Sequence, residues 1–254
     1  MDLSTGAKLF ISLLYSVFLI FLYLFTFFVI IRHWKTEKSS FFLMYILEGV
    51  MNICTYFMVF YSKKLNTVTC DTCPLAFIYR DMNIDFLKNF LTCMSYHMAY
   101  VQYLNTSLIS TNRNTVLRYW QRGEPFWKKF ALPIMMIAFL LPFIDTHRHF
   151  LLQTEITYNG ENYEFAEPMP LEDCFKYLNP TMIFCSAYSV GMNIGSRMYL
   201  RKLTTHVRSK ASTNFIVITL FTSIAQVLGC FLSIIRVAWP TGPIARLLAE
   251  CLPF

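Results

Sequence analysis

Catalytic machinery is missing from this sequence. No nucleophile stands with a partnered base, no glycine-rich loop is placed to cradle a phosphate, and no set of His, Cys, Asp or Glu has metal-ligand spacing. Neither an enzyme nor a cofactor- or metal-dependent protein is expected from such a chain. Charge is scarce as well: 15% of the 254 residues are Asp, Glu, Lys or Arg, against 56% hydrophobic and 17% aromatic, and the mean hydropathy is +0.44. That balance excludes a chain solvated mainly by water. No internal repeat, low-complexity segment or separate soluble domain breaks it, so the lipid bilayer is the expected partner.

The formal net charge of +7 could point to nucleic acid, but the basic residues cluster in short connections between apolar runs. Positive-inside bias accounts for them, and no nucleic-acid partner is expected. The run Leu9 to Ile31 carries no charge and is long enough, at about 1.5 Å per residue, to cross a bilayer with some tilt. It is too long for a signal-peptide core, and no small-residue cleavage site follows. Arg32, His33, Lys35 and Lys38 come next and mark the inner side, which leaves the amino end outside.

Further spans are expected over 41–61, 86–110, 126–144, 177–200 and 215–237, with the start of a seventh over 244–254. The fourth is the weakest, since Pro133 and Pro142 interrupt it. Arg118, Arg122, Lys128 and Lys129 against the single acid Glu124 make a second inner loop, and Arg201, Lys202, His206, Arg208 and Lys210 a third. The connection 62–83 and the acidic segment Asp145 to Lys176 belong outside. Within the latter, Asn159-Gly160 between β-favouring residues predicts a hairpin over the bundle mouth.

The third span is unusually polar. Projected at about 100° per residue, Asn89, Cys93, Tyr96, His97, Tyr100, Ser107 and Thr111 fall on one face. Lipid cannot hydrogen-bond such a face, so a bundle interior or a wet cavity must receive it. Lys88, Asn89, Tyr96, His97 and Tyr100 make the candidate ligand-binding group, because concave sites combine aromatic walls with a few polar groups. The plainer reading of His97 is a satisfied interior hydrogen-bonder, and of Lys88 a side chain snorkelling outward. Glu48 and Asn52, one turn apart in the second span, read as an inter-helix hydrogen-bonding pair in preference to a proton relay or ligand contact.

Of eight cysteines, Cys54, Cys93, Cys185 and Cys230 lie inside apolar runs, where a buried free thiol is the default. Cys70 and Cys73 form C-x-x-C, but no second pair or His cluster completes a metal site. A loop disulfide from Cys70 or Cys73 to Cys174 is the expectation.

Two stretches carry a resemblance. "SSFFLMYILEGVMNICTY", Ser39 to Tyr56, has the paired serines, aromatic, acid-glycine pair and later asparagine of the second-span signature in the serpentine receptor class gamma family of nematode chemoreceptors. "STNRNTV", Ser110 to Val116, with Trp127 downstream, resembles that family's third-span end, where an Asn-Arg pair stands near the place of the Asp-Arg-Tyr motif of rhodopsin-like receptors; "YHMAYVQ", Tyr96 to Gln102, is similar too. The resemblance covers nearly the whole chain. It implies an all-α membrane protein, a seven-transmembrane helix bundle of the G protein-coupled receptor type, here one domain over 1–254 with six complete spans and a truncated seventh.

The resemblance further implies a plasma-membrane receptor of sensory cilia that detects a small environmental or pheromonal molecule and couples to a heterotrimeric G protein. Asn112 and Arg113, with Arg118, Lys202, Arg208 and Lys210, are then the coupling or switch residues. In that reading Arg113 pairs with the second or fifth span at rest and releases on activation; the plain alternative is a positive-inside anchor. Family members complete a seventh span and a cytoplasmic tail, whereas this sequence stops at Pro253-Phe254, as a fragment or a truncated product would. The rival readings are a non-signalling receptor or assembly partner that dimerises with complete receptors, and a small-solute transporter. Paired Gly/Pro-broken spans in repeated halves would mark the transporter, and none is present.

Overall fold

A computed structural model describes residues 3–33, 39–65, 69, 73, 75–82, 84–160, 162–166, 169–202 and 211–238. Helices dominate: α1 (Leu3–His33), α2 (Ser40–Val59) continuing into a π-helical turn (Phe60–Lys64), α3 (Phe77–Arg80), α4 (Asp85–Arg118), α5 (Trp120–Leu140), α6 (Phe143–Leu151), α7 (Leu171–Lys202) and α8 (Ala211–Ala238). Between α6 and α7 lies one antiparallel pair, β1 (Glu155–Tyr158) and β2 (Tyr163–Ala166). By length and apolar composition Leu13–Arg32 and Ser40–Ser62 suffice to cross a membrane, as do Gln121–Leu140 and Phe143–Leu151 taken together as a bent pair.

The centre of the bundle is α4. No glycine or proline interrupts it between Asp85 and Arg118, and its ends suit the helix dipole, with Asp85 in the first turn and Arg118 in the last. It packs against α2, α5, α6 and, most extensively, α7, which in turn carries α8. Every residue from Leu91 to Val101 is buried, so the polar third span is indeed the enclosed one. The outer faces of α1, α5 and α7 present Phe18, Phe21, Ile137, Phe184 and similar side chains, as a lipid-facing surface requires.

Several boundaries differ from those read in the sequence. α5 begins at Trp120, not 126, so the segment expected as the second inner loop is helical on both sides of Tyr119. α4 runs on to Arg118, well past Ser110, because the polar Thr111–Thr115 segment is held by bonds to its own preceding turn and to neighbouring helices. α7 begins at Leu171, so Glu172 and Asp173 are its first turn and not loop; acids there complement the positive end of the helix. The largest correction follows α5. The chain bends by 42° at Leu141-Pro142, where proline cannot continue the ladder, and resumes as α6. Asp145 to Leu151, expected as outer loop, is helix packed on α4.

The hairpin forms where Asn159-Gly160 places it, with Tyr158 opposite Tyr163 and Gly160 at φ +92°. Tyr61 and Tyr79 stack with centroids 5.3 Å apart, and Phe165 of β2 sets its ring edge-on against both, 6.4 and 6.0 Å away. Tyr79 hydroxyl donates to the Tyr61 carbonyl, and burial pushes its phenol up, which keeps it a donor. The first outer connection and the hairpin thus form one aromatic cap over the α2–α4 end of the bundle.

Candidate functional site

The candidate ligand-binding residues meet α6. Tyr100 donates from its hydroxyl to Asp145 Oδ2 at 2.7 Å, and Asp145 pairs with Arg148 at 3.0 Å. Arg148 Nη2 continues to the Asp173 carbonyl of α7 at 2.8 Å. His97 Nδ1 lies 3.0 Å from Thr146 Oγ1, with its ring against Phe143 (3.9 Å) and Phe139 (5.1 Å), while its buried Nε2 has no partner. Tyr96 stacks on His149 at 4.6 Å and meets Phe175 edge-on. Three of the five residues therefore converge on one helix that the sequence reading had missed.

The other two sit nearer the start of α4. Lys88 pairs with Asp85 at 2.6 Å across one turn. Asn89 accepts from Thr154 N at 2.8 Å and donates to the Phe150 carbonyl at 3.4 Å, tying the chain between α6 and β1 to α4. Asp145, Thr146, Arg148 and His149 are the side chains that sequence reasoning left out. A signal existed: Pro142 before the segment, Asp145 in the first turn and Arg148 with His149 in the last are helix start and stop marks.

Along α4 the polar face continues as a ladder to α2. Gln102 Nε2 donates to Asn52 Oδ1 at 3.0 Å, Asn52 Nδ2 to Tyr23 hydroxyl at 3.3 Å, and Thr106 Oγ1 to Glu48 Oε1 at 3.0 Å. Glu48 and Asn52 serve as the inter-helix pair read from their spacing. On the opposite side Ser107 Oγ bonds the Cys185 carbonyl and Ser189 Oγ of α7, each at 3.1 Å.

At the other end of α4, near Asn112, Ser40 is the junction. Its N–H and hydroxyl donate to the two carboxylate oxygens of Glu124 at 2.8 and 2.9 Å, and its Oγ accepts from Asn112 Nδ2 at 2.9 Å. Three helices are joined by one side chain: Ser40 from α2, Asn112 from α4, Glu124 from α5. Glu124 is 6% exposed, and Lys128 stands 3.6 Å from it, so the acid expected in a loop is a latch within the first turns of α5. Trp127 Nε1 donates to Thr115 Oγ1 at 2.7 Å beside it.

Arg113 lies over the Phe41 ring, 4.3 Å from its centroid, within electrostatic reach of Glu48 and Tyr45. It faces the second span, one of the two it was expected to pair with. Asn114 reaches the other way, from Nδ2 to the Met192 carbonyl (2.8 Å) and Ser196 Oγ (3.0 Å) of α7. Arg118 and Lys202 are exposed at the ends of α4 and α7. Arg118 lies so close to α7 that a Cβ at Gly195 would sit 3.0 Å from its Nη2. Arg208 and Lys210 fall outside the described residues.

The expected bridge to Cys174 is not formed. Cys73 is disulfide-bonded, whereas Cys174 is a thiol, 2% exposed, packed with Phe175, Tyr96 and Leu178 in the α4–α7 core. The starting point of α7 explains this: beginning at Leu171 it turns Cys174 inward, where its Sγ lies 4.0 Å from the Met169 carbonyl. Cys70 lies outside the described residues. Among the described residues no three His, Cys, Asp or Glu side chains group to hold a metal ion.

What this arrangement offers is connection: a central helix whose polar side chains bond α6 at one end, α2 and α7 along its length, and α2 and α5 at the other. Comparison with curated proteins gives no match. The Srg family chemoreceptor profile matches residues 9–254, from the first apolar run to the last residue. The acid-glycine pair at Glu48-Gly49 and the Asn-Arg pair at Asn112-Arg113 stand within that match, with Glu48 and Asn112 each making an α2–α4 contact, and the chain belongs to the Srg family of chemoreceptors.

Proposed function

We propose that this chain is a chemosensory G protein-coupled receptor, and that occupancy by a small molecule is transmitted by repacking α4 against its neighbours. In this reading six helical spans cross the plasma membrane of a nematode sensory cilium with the amino end outside; the expected start of a seventh, 244–254, lies outside the described residues. The observation that supports it most is the succession of polar contacts along α4: Tyr100–Asp145 toward α6, Thr106–Glu48 toward α2, and Asn112–Ser40–Glu124 where α2, α4 and α5 meet. Two arrangements of such a path with similar energies make a switch, and a ligand shifts their balance only as far as it binds one better than the other. Arg118 and Lys202, both exposed, are in this reading offered to a G protein, with Asn112 and Arg113 as the switch behind them.

Insect-cell membranes containing the chain and a heterotrimeric G protein, challenged with ethanol extracts of nematode-conditioned medium, test the reading. Guanine-nucleotide loading is expected to rise above that of membranes lacking the chain. Surface-exposed chain that leaves loading at background across Gα classes would refute it, and labelled-solute uptake into proteoliposomes would favour transport instead.

A further inference from the structure

α4 and α7 run side by side in the same direction: Ser107 bonds the Cys185 carbonyl and Ser189, and further along Asn114 bonds the Met192 carbonyl and Ser196. Their last turns, ending at Arg118 and Lys202, therefore lie at the same end of the bundle. An exposed strip follows the seam between them. Tyr188, Gly195 and Lys202 recur every seven residues and share one face of α7. Thr111 and Arg118, at the same spacing on α4, meet that face. Thr111 Oγ1 donates to the Tyr188 hydroxyl at 3.1 Å on the exposed side of the contact. Arg118 lies over Gly195, where a Cβ would be 3.0 Å from its Nη2, and Lys202 follows two turns on, about 10 Å along the helix.

Arg118 and Lys202 are both exposed, and among the described residues neither has an acid partner. Glu124, the nearest acid in the sequence, is already occupied: it is buried, with both oxygens on Ser40 and Lys128 beside it. Beside the strip Ile194 and Met198 expose apolar side chains, a surface suited to an acyl chain. Positive-inside bias asks for basic residues somewhere near the span ends; it does not ask for a guanidinium laid over a glycine of the neighbouring helix, in line with a lysine. Cations at two depths beside apolar surface match a lipid with phosphate at two depths, one on the glycerol and others on an inositol ring. Anionic lipids of the cytoplasmic leaflet attract basic residues close to it.

We infer that the Arg118–Lys202 strip between α4 and α7 binds the headgroup of a multiply phosphorylated inositol lipid, with Arg118 on one phosphate and Lys202 on another. The inference rests on the receptor reading only for the leaflet that supplies the lipid. Binding is measured on the purified chain without a G protein, so the two fail separately.

The test is native mass spectrometry of the full chain in detergent, offered equal concentrations of phosphatidylinositol bisphosphate, phosphatidylserine and phosphatidylcholine, with soluble inositol trisphosphate as the headgroup-only arm. Wild type is expected to retain the bisphosphate lipid roughly fivefold better than phosphatidylserine, the gain of about one further cation contact, and to hold inositol trisphosphate more weakly than the lipid. Arg118→Gln and Lys202→Gln, both changes of exposed side chains, should each weaken retention roughly fivefold. Arg197→Gln removes the same charge from the exposed, nearly opposite face of α7 and should retain the lipid as wild type does. An equal loss in Arg197→Gln, or phosphatidylserine held as well as the bisphosphate, would mean that diffuse positive charge and not this strip holds the lipid. Either result, trisphosphate held as tightly as the lipid, unchanged retention in both strip variants, or no retention by wild type overturns the proposal.

Discussion

The hydroxyl of Tyr100 and the carboxylate of Asp145 meet at 2.7 Å between α4 and α6, and Arg148 holds the same carboxylate from one turn further on. This contact fixes the bent outer half of the α5–α6 pair to the central helix. The bundle therefore seats α6 by a bond to a charged group in addition to apolar packing.

Tyr100→Phe removes that donor while leaving the ring in place. Asp145 keeps Arg148, so the loss is confined to one charge-assisted bond, about 1.5–3 kcal/mol. Denaturant or thermal unfolding of the variant in nanodiscs should show a decrease of that size. Arg148→Ala added to Tyr100→Phe should cost more than the sum of the separate changes, since only the double variant strands the carboxylate. Strict additivity would show that the three groups do not act as a unit.

Ser40 is the inner counterpart. Ser40→Ala deletes a bond to Glu124 and the acceptor for Asn112 together, leaving two buried polar groups short of partners. Roughly 2–4 kcal/mol is expected from two such losses. Glu124→Gln keeps one acceptor oxygen and should cost less than Ser40→Ala. The reverse ranking in unfolding measurements would place the weight of the latch on the carboxylate's charge and its partner Lys128.

Much of this was legible in the chain. The polar stripe on the third span announced an enclosed helix, Glu48 and Asn52 announced a partner one helix away, and Asn159-Gly160 announced the hairpin. What was not legible followed from long-range contact. A nine-residue α6 carries Asp, Arg and two His, which in isolation read as an outer loop; only Tyr100, Tyr96 and His97, more than forty residues earlier, make those polar groups compatible with a packed helix. Likewise Glu124 read as one acid in a basic loop, because nothing in its neighbourhood names Ser40 as its partner.

Cys174 gives a direct chemical check. As a thiol it should react with an alkylating agent once the protein is denatured without reductant, whereas Cys73, being disulfide-bonded, should be labelled only after reduction. Peptide mass spectrometry separates the two. Cys174→Ala should then lower stability by about 1 kcal/mol or less, a small packing loss. A Cys174 peptide labelled only after reduction would restore the inter-loop bridge.

Gly49, the partner of Glu48 in the family's acid-glycine pair, has a steric reason. A Cβ there would sit 2.5 Å from Phe27 Cζ and 3.2 Å from Tyr23 Cδ1, so the glycine admits α1 rings against α2. Gly49→Ala is expected to destabilise by about 1–3 kcal/mol through overpacking. Phe27→Leu in the same chain should recover part of it. No recovery would mean that the alanine acts on α2 itself and not on its contact with α1.

Arg113 separates signalling from folding. Its guanidinium stacks on Phe41, and stacking of a flat delocalised cation is something lysine does not reproduce. If Arg113 is a switch, Arg113→Ala should lower nucleotide loading per surface receptor roughly tenfold, a loss inside the usual range of coupling energies, with surface amount near wild type. Arg113→Lys should retain the cationic inner rim but not the resting contact, so it is expected to signal between the two and to show higher loading without stimulus. A simple positive-inside anchor predicts the opposite pattern: lysine indistinguishable from arginine, and alanine reducing surface amount or orientation while each correctly inserted molecule signals normally. Surface labelling and loading measured on the same membranes decide between the two.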